Sequence, residues 1–241
     1  MSQNANSLSV VIAVRNCRQR LEGTVLPWRP IATEIIVVDQ MSTDGTDQEA
    51  VKLGCRLIRN EPAGGNFDLN RKIAMQQATG EWVLYIDTDE RPTAALLQEI
   101  RNLLKDPVKL NGIDGIKIPN KFYFLGKELR YGLFNKNAAE IRMVRREKWT
   151  YPCEQGFHRG VSVNGNVIRL QNYYLHFNVN SIGEWFIKTN QYTEADSEQI
   201  GRKLSRGATV DTYVIFLDGL KFFIKHFFIK QGFRDGFHGF I

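Results

Sequence analysis

A chain of 241 residues with 43% hydrophobic and 24% charged residues can bury a sizeable core and is too apolar to be disordered. Its net charge of +6 suits an anionic partner, but no zinc-finger, RNA-recognition or helix-turn-helix pattern directs that charge to nucleic acid. Three widely spaced cysteines, Cys17, Cys55 and Cys153, lack metal-ligand spacing and an even count, which argues against a disulfide framework and for a reducing compartment. Met1 to Ser7 is polar and lacks the basic and apolar regions of a secretory signal, so the expected location is cytoplasmic.

Leu8 to Val14 and Glu34 to Asp39 are short, nearly continuous apolar runs, as expected of parallel strands buried on both faces. Cys17 to Leu26, between them, is expected to be helical and to close at Pro27 and Pro30. Ser42-Thr43-Asp44-Gly45-Thr46 is a polar turn whose Thr46 or Asp47 is expected to cap a helix over Gln48 to Leu53. Cys55 to Arg59 follows as a third strand and Asp68 to Ala78 as a helix ending at Gly80. Glu81 to Ile86 is a fourth strand, and it delivers Asp87-Thr88-Asp89-Glu90 at its C-terminal end. A helix over Ala94 to Leu104 carries Leu96, Leu97, Ile100, Leu103 and Leu104 as one stripe. The alternation predicts an α/β fold with a mostly parallel, Rossmann-like sheet flanked by helices.

From Gly112 to Phe177 the pattern changes to short strands: Gly115 to Pro119, Phe122 to Phe124, Glu140 to Arg145, Val161 to Val163, Asn166 to Leu170 and Tyr173 to Phe177. Ser181 to Ile200 is expected to be helical, and Lys203 to Thr209 a linker. Eight of the fifteen phenylalanines lie between Phe216 and Phe240, so the end of the chain is Phe-rich out of proportion to its length. There Phe216, Leu217, Leu220, Phe223, Ile224, Phe227 and Phe228 form an apolar stripe at helical spacing, with Lys221, Lys225, Lys230 and Arg234 interspersed. Such a helix either packs on the rest of the chain or lies in a lipid interface with its cations toward anionic head groups; it is too interrupted to span a bilayer.

Asp87-Thr88-Asp89 is the centre of the chemistry. Open α/β sheets place ligands at the C-terminal ends of their strands. Two carboxylates two residues apart there can face Mg²⁺ or Mn²⁺ and the phosphate oxygens such a cation bridges. Outside that context the same residues make an ordinary solvated loop. Asp39, at the end of another strand, can accept hydrogen bonds from a nucleoside. Arg71 and Lys72 open a helix face that meets either diphosphate or solvent.

The segments SVVIAVRN, EIIVVDQMSTDGT, NRKIAMQQATGEWVLYIDTDERP, GIKIPNKFYFLGKELRYG and LHFNVNSIGEWFIKTNQYT resemble, in order, family 2 glycosyltransferases of the GT-A fold, and among them the bacterial lipopolysaccharide-core β-glucosyltransferase type. The resemblance runs from about Leu8 to Thr193, and GFRDGFHGF echoes the family's tail. It implies an inverting, divalent-metal-dependent hexosyltransferase with Mg²⁺ or Mn²⁺ as cofactor. The donor would be a nucleoside-diphosphate sugar, a UDP-sugar foremost, and the acceptor a saccharide or lipid-linked molecule of cell-envelope polysaccharide or lipopolysaccharide. By the same resemblance Val14, Arg15 and Asp39 hold the nucleoside and Arg71 contacts base or diphosphate, while Lys72 stands where the family often carries Asn. Asp87 lies near the ribose, Asp89 binds the metal, and His176 is brought to that metal. Such acceptors imply work at the cytosolic face of the inner membrane, with surface contact through the tail.

The implied organisation is a catalytic domain over 8–200, with a donor half over about 8–110 and an acceptor half over about 111–200, then a helical tail over 210–241. The chain departs from the family where His-Glu is usual, reading His158-Arg159. An inverting transfer needs a base for the acceptor hydroxyl, and Glu154 and His158 are the candidates. Two other readings remain. Arg159 and Ala138 suit a catalytically silent sugar-nucleotide-binding protein. A nucleotidyltransferase would need a Gly-rich loop after the first strand, where this chain has Val14-Arg15-Asn16-Cys17.

Overall fold

The computed structural model describes residues 6–61, 67–132, 139–150, 160–205 and 212–240. In chain order they form β1 (Leu8–Val14), α1 (Arg18–Val25), β2 (Glu34–Asp39), α2 (Thr46–Lys52), β3 (Arg56–Arg59), α3 (Phe67–Gln76), β4 (Trp82–Ile86), β5 (Glu90–Pro92), α4 (Ala94–Leu104) and α5 (Pro107–Leu110). There follow β6 (Gly115–Phe124), β7 (Lys127–Leu129), β8 (Ala139–Arg145), β9 (Trp149–Thr150), β10 (Ser162–Val163), β11 (Val167–Arg169), β12 (Tyr174–Val179), α6 (Ile182–Leu204), α7 (Thr212–Phe223) and α8 (Phe237–Phe240). The chain divides into two compact units, 1–120 with 139–175, and 121–138 with 176–241.

In the first unit β1 pairs in parallel with β2 on one side and β4 on the other, β2 pairs in parallel with β3, and β8 runs antiparallel to β4 and β6. Both faces of the parallel strands are covered, and side-chain alternation sorts the core accordingly. Val10, Ile12, Ile35, Val37, Leu84 and Ile86 pack with Leu21 and Val25 of α1 and Leu96 and Ile100 of α4. Val11, Ile36, Val38, Val83 and Tyr85 pack with Ala74 and Met75 of α3.

Local chemistry moved several boundaries away from the sequence reading. The first helix ends at Val25 with Leu26 as its cap, just before Pro27, and a separate 3-10 turn over Leu26–Trp28, with proline in its opening positions where its missing N–H is not needed, seats Trp28 in the core. Thr46 and Asp47 do not cap α2, which begins at Thr46 itself; Gly45, at φ +85°, is the cap residue, and Asp44 Oδ1 accepts the Thr46 N–H at 3.0 Å. Pro119 does not end a strand either, because β6 runs on as ten residues to Phe124.

In the second unit β7 folds back along the end of β6 through Leu125 and Gly126, both at positive φ, as a tight hairpin requires. Phe122, Phe124, Leu129 and Val179 form its buried cluster, with Trp185 against it. At the start of α6, Ser181 Oγ accepts the Glu184 N–H while Glu184 reaches back to the Asn180 N–H, a near relative of the capping box.

The tail is not one unbroken helix. After α7 the chain widens into a π-helical stretch, Ile224–Ile229, then passes through a 3-10 turn, Gly232–Asp235, into α8. The wider turn splits the expected stripe: Phe223 stacks on Phe227 at 5.1 Å, while Leu220, Ile224 and Phe228 stay exposed. Asp235 is buried, accepting the N–H groups of Arg130 (3.0 Å) and Tyr131 (2.9 Å), and its carbonyl accepts from Lys127 Nζ. Gly239 lies so close to the Gly232 carbonyl that a Cβ would stand 2.0 Å from its oxygen.

Candidate functional site

From β1 the chain builds β2 and β3 to one side before returning to β4 on the other. That reversal is a topological switch point, and it opens a crevice at the carboxyl ends of β1 and β4. The parallel registers set Val14 level with Asp39, and Ile12 level with Ile86. Asp39 and the residues after Ile86 therefore share one sheet edge, about two strand spacings or roughly 10 Å apart across β1.

The turn that β4 delivers is held from three directions. Within it, the Glu90 N–H donates to the Asp87 carbonyl (3.1 Å), and the Asp87 N–H donates to Glu90 Oε2 (2.9 Å). From α3, the Arg71 guanidinium pairs with Asp87 Oδ1. From β8, Arg142 reaches Glu90 (2.7 Å), Glu140 (3.0 Å) and Asp87 (3.5 Å), with its guanidinium over the rings of Tyr85 (4.7 Å) and Tyr174 (5.2 Å). On the α1 side, Arg91 Nη1 donates to the carbonyls of Thr88 and Glu90 and to Thr24 Oγ1, and Nη2 donates to the Arg20 carbonyl.

Burial works against the charge on Arg142, yet Glu90, the two tyrosines and Asp87 together hold its pKa well above the ordinary arginine value. Burial pushes the Tyr85 hydroxyl up to about 12, with Arg142 and Arg71 pulling the other way. Burial also lowers Arg91 somewhat, against the attraction of nearby Asp89.

A second lattice laces the loops after β1 and β2. The Asn16 N–H donates to Ser42 Oγ (2.8 Å), the Thr43 N–H to Asn16 Oδ1 (2.9 Å), the Cys17 N–H to Thr46 Oγ1 (2.9 Å) and the Arg18 N–H to Asp44 (3.1 Å). Asn16 and Met41 take positive φ there, at +48° and +54°, an arrangement that persists only where surrounding contacts over-determine it. Ser42 donates both its N–H and its hydroxyl to Asp39, which is 1% exposed. Cys17, buried below, has its thiol pushed up to about 12 by that burial, and is inert as a nucleophile.

The structure thus brings Val14, Arg15, Asp39, Arg71, Asp87 and Asp89 to one edge or the helix beside it. Lys72 follows Arg71 on α3 and is half-buried. His176 belongs to the second unit, where its ring meets Phe122 edge-on at 5.0 Å. Glu154 and His158 lie outside the described residues. Sequence reasoning missed Arg142, Glu90, Arg91 and Thr24. Only Glu90 carried a signal, as the fourth letter of Asp87-Thr88-Asp89-Glu90; nothing local marks Arg142 as inward-pointing.

A doubly wound sheet with an acidic, arginine-clamped turn at its switch point is a fold of the GT-A kind. The sequence model of Glycosyl transferase family 2 matches residues 9–166. The chain belongs to that family, and is a glycosyltransferase. It is 29% identical over 216 residues to the lipopolysaccharide core biosynthesis glycosyltransferase LpsC of Rhizobium meliloti, covering 86% of this chain and 76% of LpsC. A glycosyltransferase of Rickettsia prowazekii is 28% identical over 244 residues, covering 97% of this chain and 80% of that protein. Among solved structures, Staphylococcus aureus TarS 1–349 in complex with UDP superposes with a TM-score of 0.53 at 17% identity, covering 75% of this chain and 62% of TarS 1–349. The similarity to TarS is one of fold, and this chain spans less than two thirds of that segment.

Proposed function

We propose that this glycosyltransferase takes a nucleoside-diphosphate sugar, a UDP-sugar foremost, at the carboxyl edge of β1, β2 and β4, and transfers its sugar with inversion to a saccharide or lipid-linked acceptor of the bacterial cell envelope. The observation that carries this reading is the turn Asp87–Glu90 at the switch point, held by arginines from three elements. LpsC, most of whose length this chain matches, is named for lipopolysaccharide core biosynthesis, which supports the acceptor class. TarS, of the same fold, was solved with UDP, which supports the donor class.

In this reading Val14, Arg15 and Asp39 border the nucleoside, Arg71 and Lys72 meet the diphosphate, and Asp87 lies beside the ribose. Among the described residues no three His, Cys, Asp or Glu side chains gather closely enough to cage a metal alone. The half-buried Asp89 carboxylate fits the other mode, in which one or two carboxylates and the substrate phosphates complete the shell of Mg²⁺ or Mn²⁺. Asp89 would hold the ion, whose chemistry there is to neutralise charge developing on the leaving diphosphate. Arg71 adds a positive group to the same task. The acceptor hydroxyl loses its proton to Glu154 or His158 as its oxygen bonds to the anomeric carbon and the diphosphate departs. Calorimetric titration with UDP, with and without Mn²⁺, tests the reading. Binding is expected to require Mn²⁺ and to vanish in Asp89→Ala; metal-independent binding, unchanged in that variant, would remove the metal assignment.

The enzyme is assigned to the cytosolic face of the inner membrane. Among the described residues no helix is long and apolar enough to cross a membrane. Phe222, Phe228, Phe237 and Phe240 are exposed, and Lys221, Lys225 and Lys230 are exposed beside them, a composition suited to an anionic lipid interface. Replacing Phe222, Phe228 and Phe237 by serine is expected to abolish flotation with anionic vesicles at an unchanged melting temperature. Undiminished flotation would refute the contact.

A further inference from the structure

We propose that Arg142 is a positioning residue for transfer: from β8 it sets the turn Asp87–Glu90, and it keeps that turn closed when Arg71 leaves Asp87 for a diphosphate. The inference rests on the reading of that turn as part of the donor site.

Two cations face Asp87, and they differ in kind. Arg71 has a side chain 18% exposed and comes from a helix surface; Arg142 is 5% exposed and comes from the strand beside β4. A partly exposed guanidinium on a long stem can turn to a new anion. Arg142 cannot, because it is buried and its charge and ring face are already engaged. Nη2 is shared between Glu90 and Glu140, Nη1 stands 3.5 Å from Asp87, and the guanidinium lies over Tyr85 and Tyr174.

Glu90 extends this grip to the backbone. One of its oxygens accepts from Arg142 and the other accepts the Asp87 N–H, so a single guanidinium fixes both the first and the last residue of the turn. Asp89, between them, is thereby aimed by a group that does not touch it. Nε and Nη1 of Arg142 make no hydrogen bond, although both are buried. Those two donors go without partners while the charge serves Glu90 and Asp87 together. Lysine cannot replace it: a compact ammonium on a flexible stem neither forks to two carboxylates nor stacks on two rings.

The test compares Arg142→Lys and Arg71→Met with Ile100→Val, a core change in α4 away from the turn. Amide hydrogen exchange over Asp87–Arg91 is read together with UDP affinity in Mn²⁺. In Arg142→Lys the Asp87 amide is expected to exchange faster, and UDP affinity to fall by about tenfold or more. In Arg71→Met the turn amides keep wild-type protection, because Arg142 remains. Ile100→Val, chosen to lose stability without touching the turn, keeps both protection and affinity. If Arg142→Lys does not fold, Glu90→Gln removes the same grip from the other side and is expected to show the same exchange.

Turn protection and UDP affinity in Arg142→Lys no different from those of Ile100→Val would overturn the proposal. So would loss of turn protection in Arg71→Met. Should the wild-type chain bind no UDP, the donor reading falls, and the exchange measurements still decide whether Arg142 sets the turn.

Discussion

Arg71→Met separates binding from stability. Methionine keeps most of the stem and removes only the guanidinium. The Arg71–Asp87 pair is partly exposed, with side chains 18% and 23% accessible, so its loss costs stability no more than about 1 kcal/mol. Asp87 is not orphaned, because Arg142 remains 3.5 Å away.

A charge-assisted hydrogen bond to diphosphate contributes about 1.5–3 kcal/mol. In wild type Arg71 must first give up Asp87, which returns up to about 1 kcal/mol. The net loss of donor affinity is then about 0.5–3 kcal/mol, or roughly 2–160-fold in Kd. Calorimetric titration with UDP and Mn²⁺, run beside thermal unfolding, measures both quantities. A folded Arg71→Met chain whose UDP affinity stays within about twofold of wild type would refute the role of Arg71. Tighter binding would mean instead that the pair with Asp87 obstructs the site.

Thr46→Val leaves the buried Cys17 N–H without the acceptor it has at 2.9 Å, and should cost about 1–3 kcal/mol in urea unfolding, with Thr46→Ser recovering most of it; equal stability of the valine variant would show that the lacing between the two loops is dispensable. Glu34 accepts hydrogen bonds from Ser9 and Thr79, which outweigh its burial and lower its pKa below the usual 4.5. Its folded pKa is the depressed one, so its contribution is present above the unfolded value and is lost as pH falls through the folded value. Glu34→Gln should therefore be less stable than wild type at pH 7, with the difference in melting temperature shrinking as the solution is acidified below about 4.5; a difference constant with pH would contradict this. Gly239→Ala places a methyl 2.0 Å from the Gly232 carbonyl oxygen and should cost at least about 1–3 kcal/mol in the second unit, which accelerated amide exchange at Arg130 and Tyr131 would report; wild-type protection there would show the contact to be relaxed.

Where structure follows from local pattern, the sequence was sufficient. β1, β2 and β4 are buried on both faces and so appear as nearly unbroken apolar runs, whereas their order across the sheet is set by pairing that no local pattern shows. The edge carrying Asp39, Asp87 and Asp89 could still be located before any coordinates. What failed to show depends on partners far along the chain. Arg142 and Arg145 sit in one short strand and look equivalent, but Arg142 meets Glu90, 52 residues away, whereas Arg145 meets Glu81 and the carbonyls of Leu110 and Ile113. The tail misled for a related reason. Helical spacing of phenylalanines cannot foretell a π-helical turn, nor that Asp235 is taken up by the backbone of Arg130 and Tyr131. Asp39 was legible as a strand-end carboxylate, but its engagement by Ser42 was not.

Charge at the turn argues for what the donor must bring with it. Asp87, Asp89, Glu90 and Glu140 face Arg71, Arg91 and Arg142, four carboxylates against three guanidiniums, so the cluster is net negative by one charge. Arg142 is locked to its carboxylates and Arg91 to backbone carbonyls, which leaves Arg71 as the arginine of the three placed to turn to a diphosphate. One guanidinium does not balance a diphosphate, whereas, on the proposed reading, a divalent cation on Asp89 would turn the edge from net negative to net positive without moving any side chain of the clamp. On the proposed reading, metal-dependent donor binding is what this charge count predicts, and the arginines would serve mainly to hold the turn that carries Asp89.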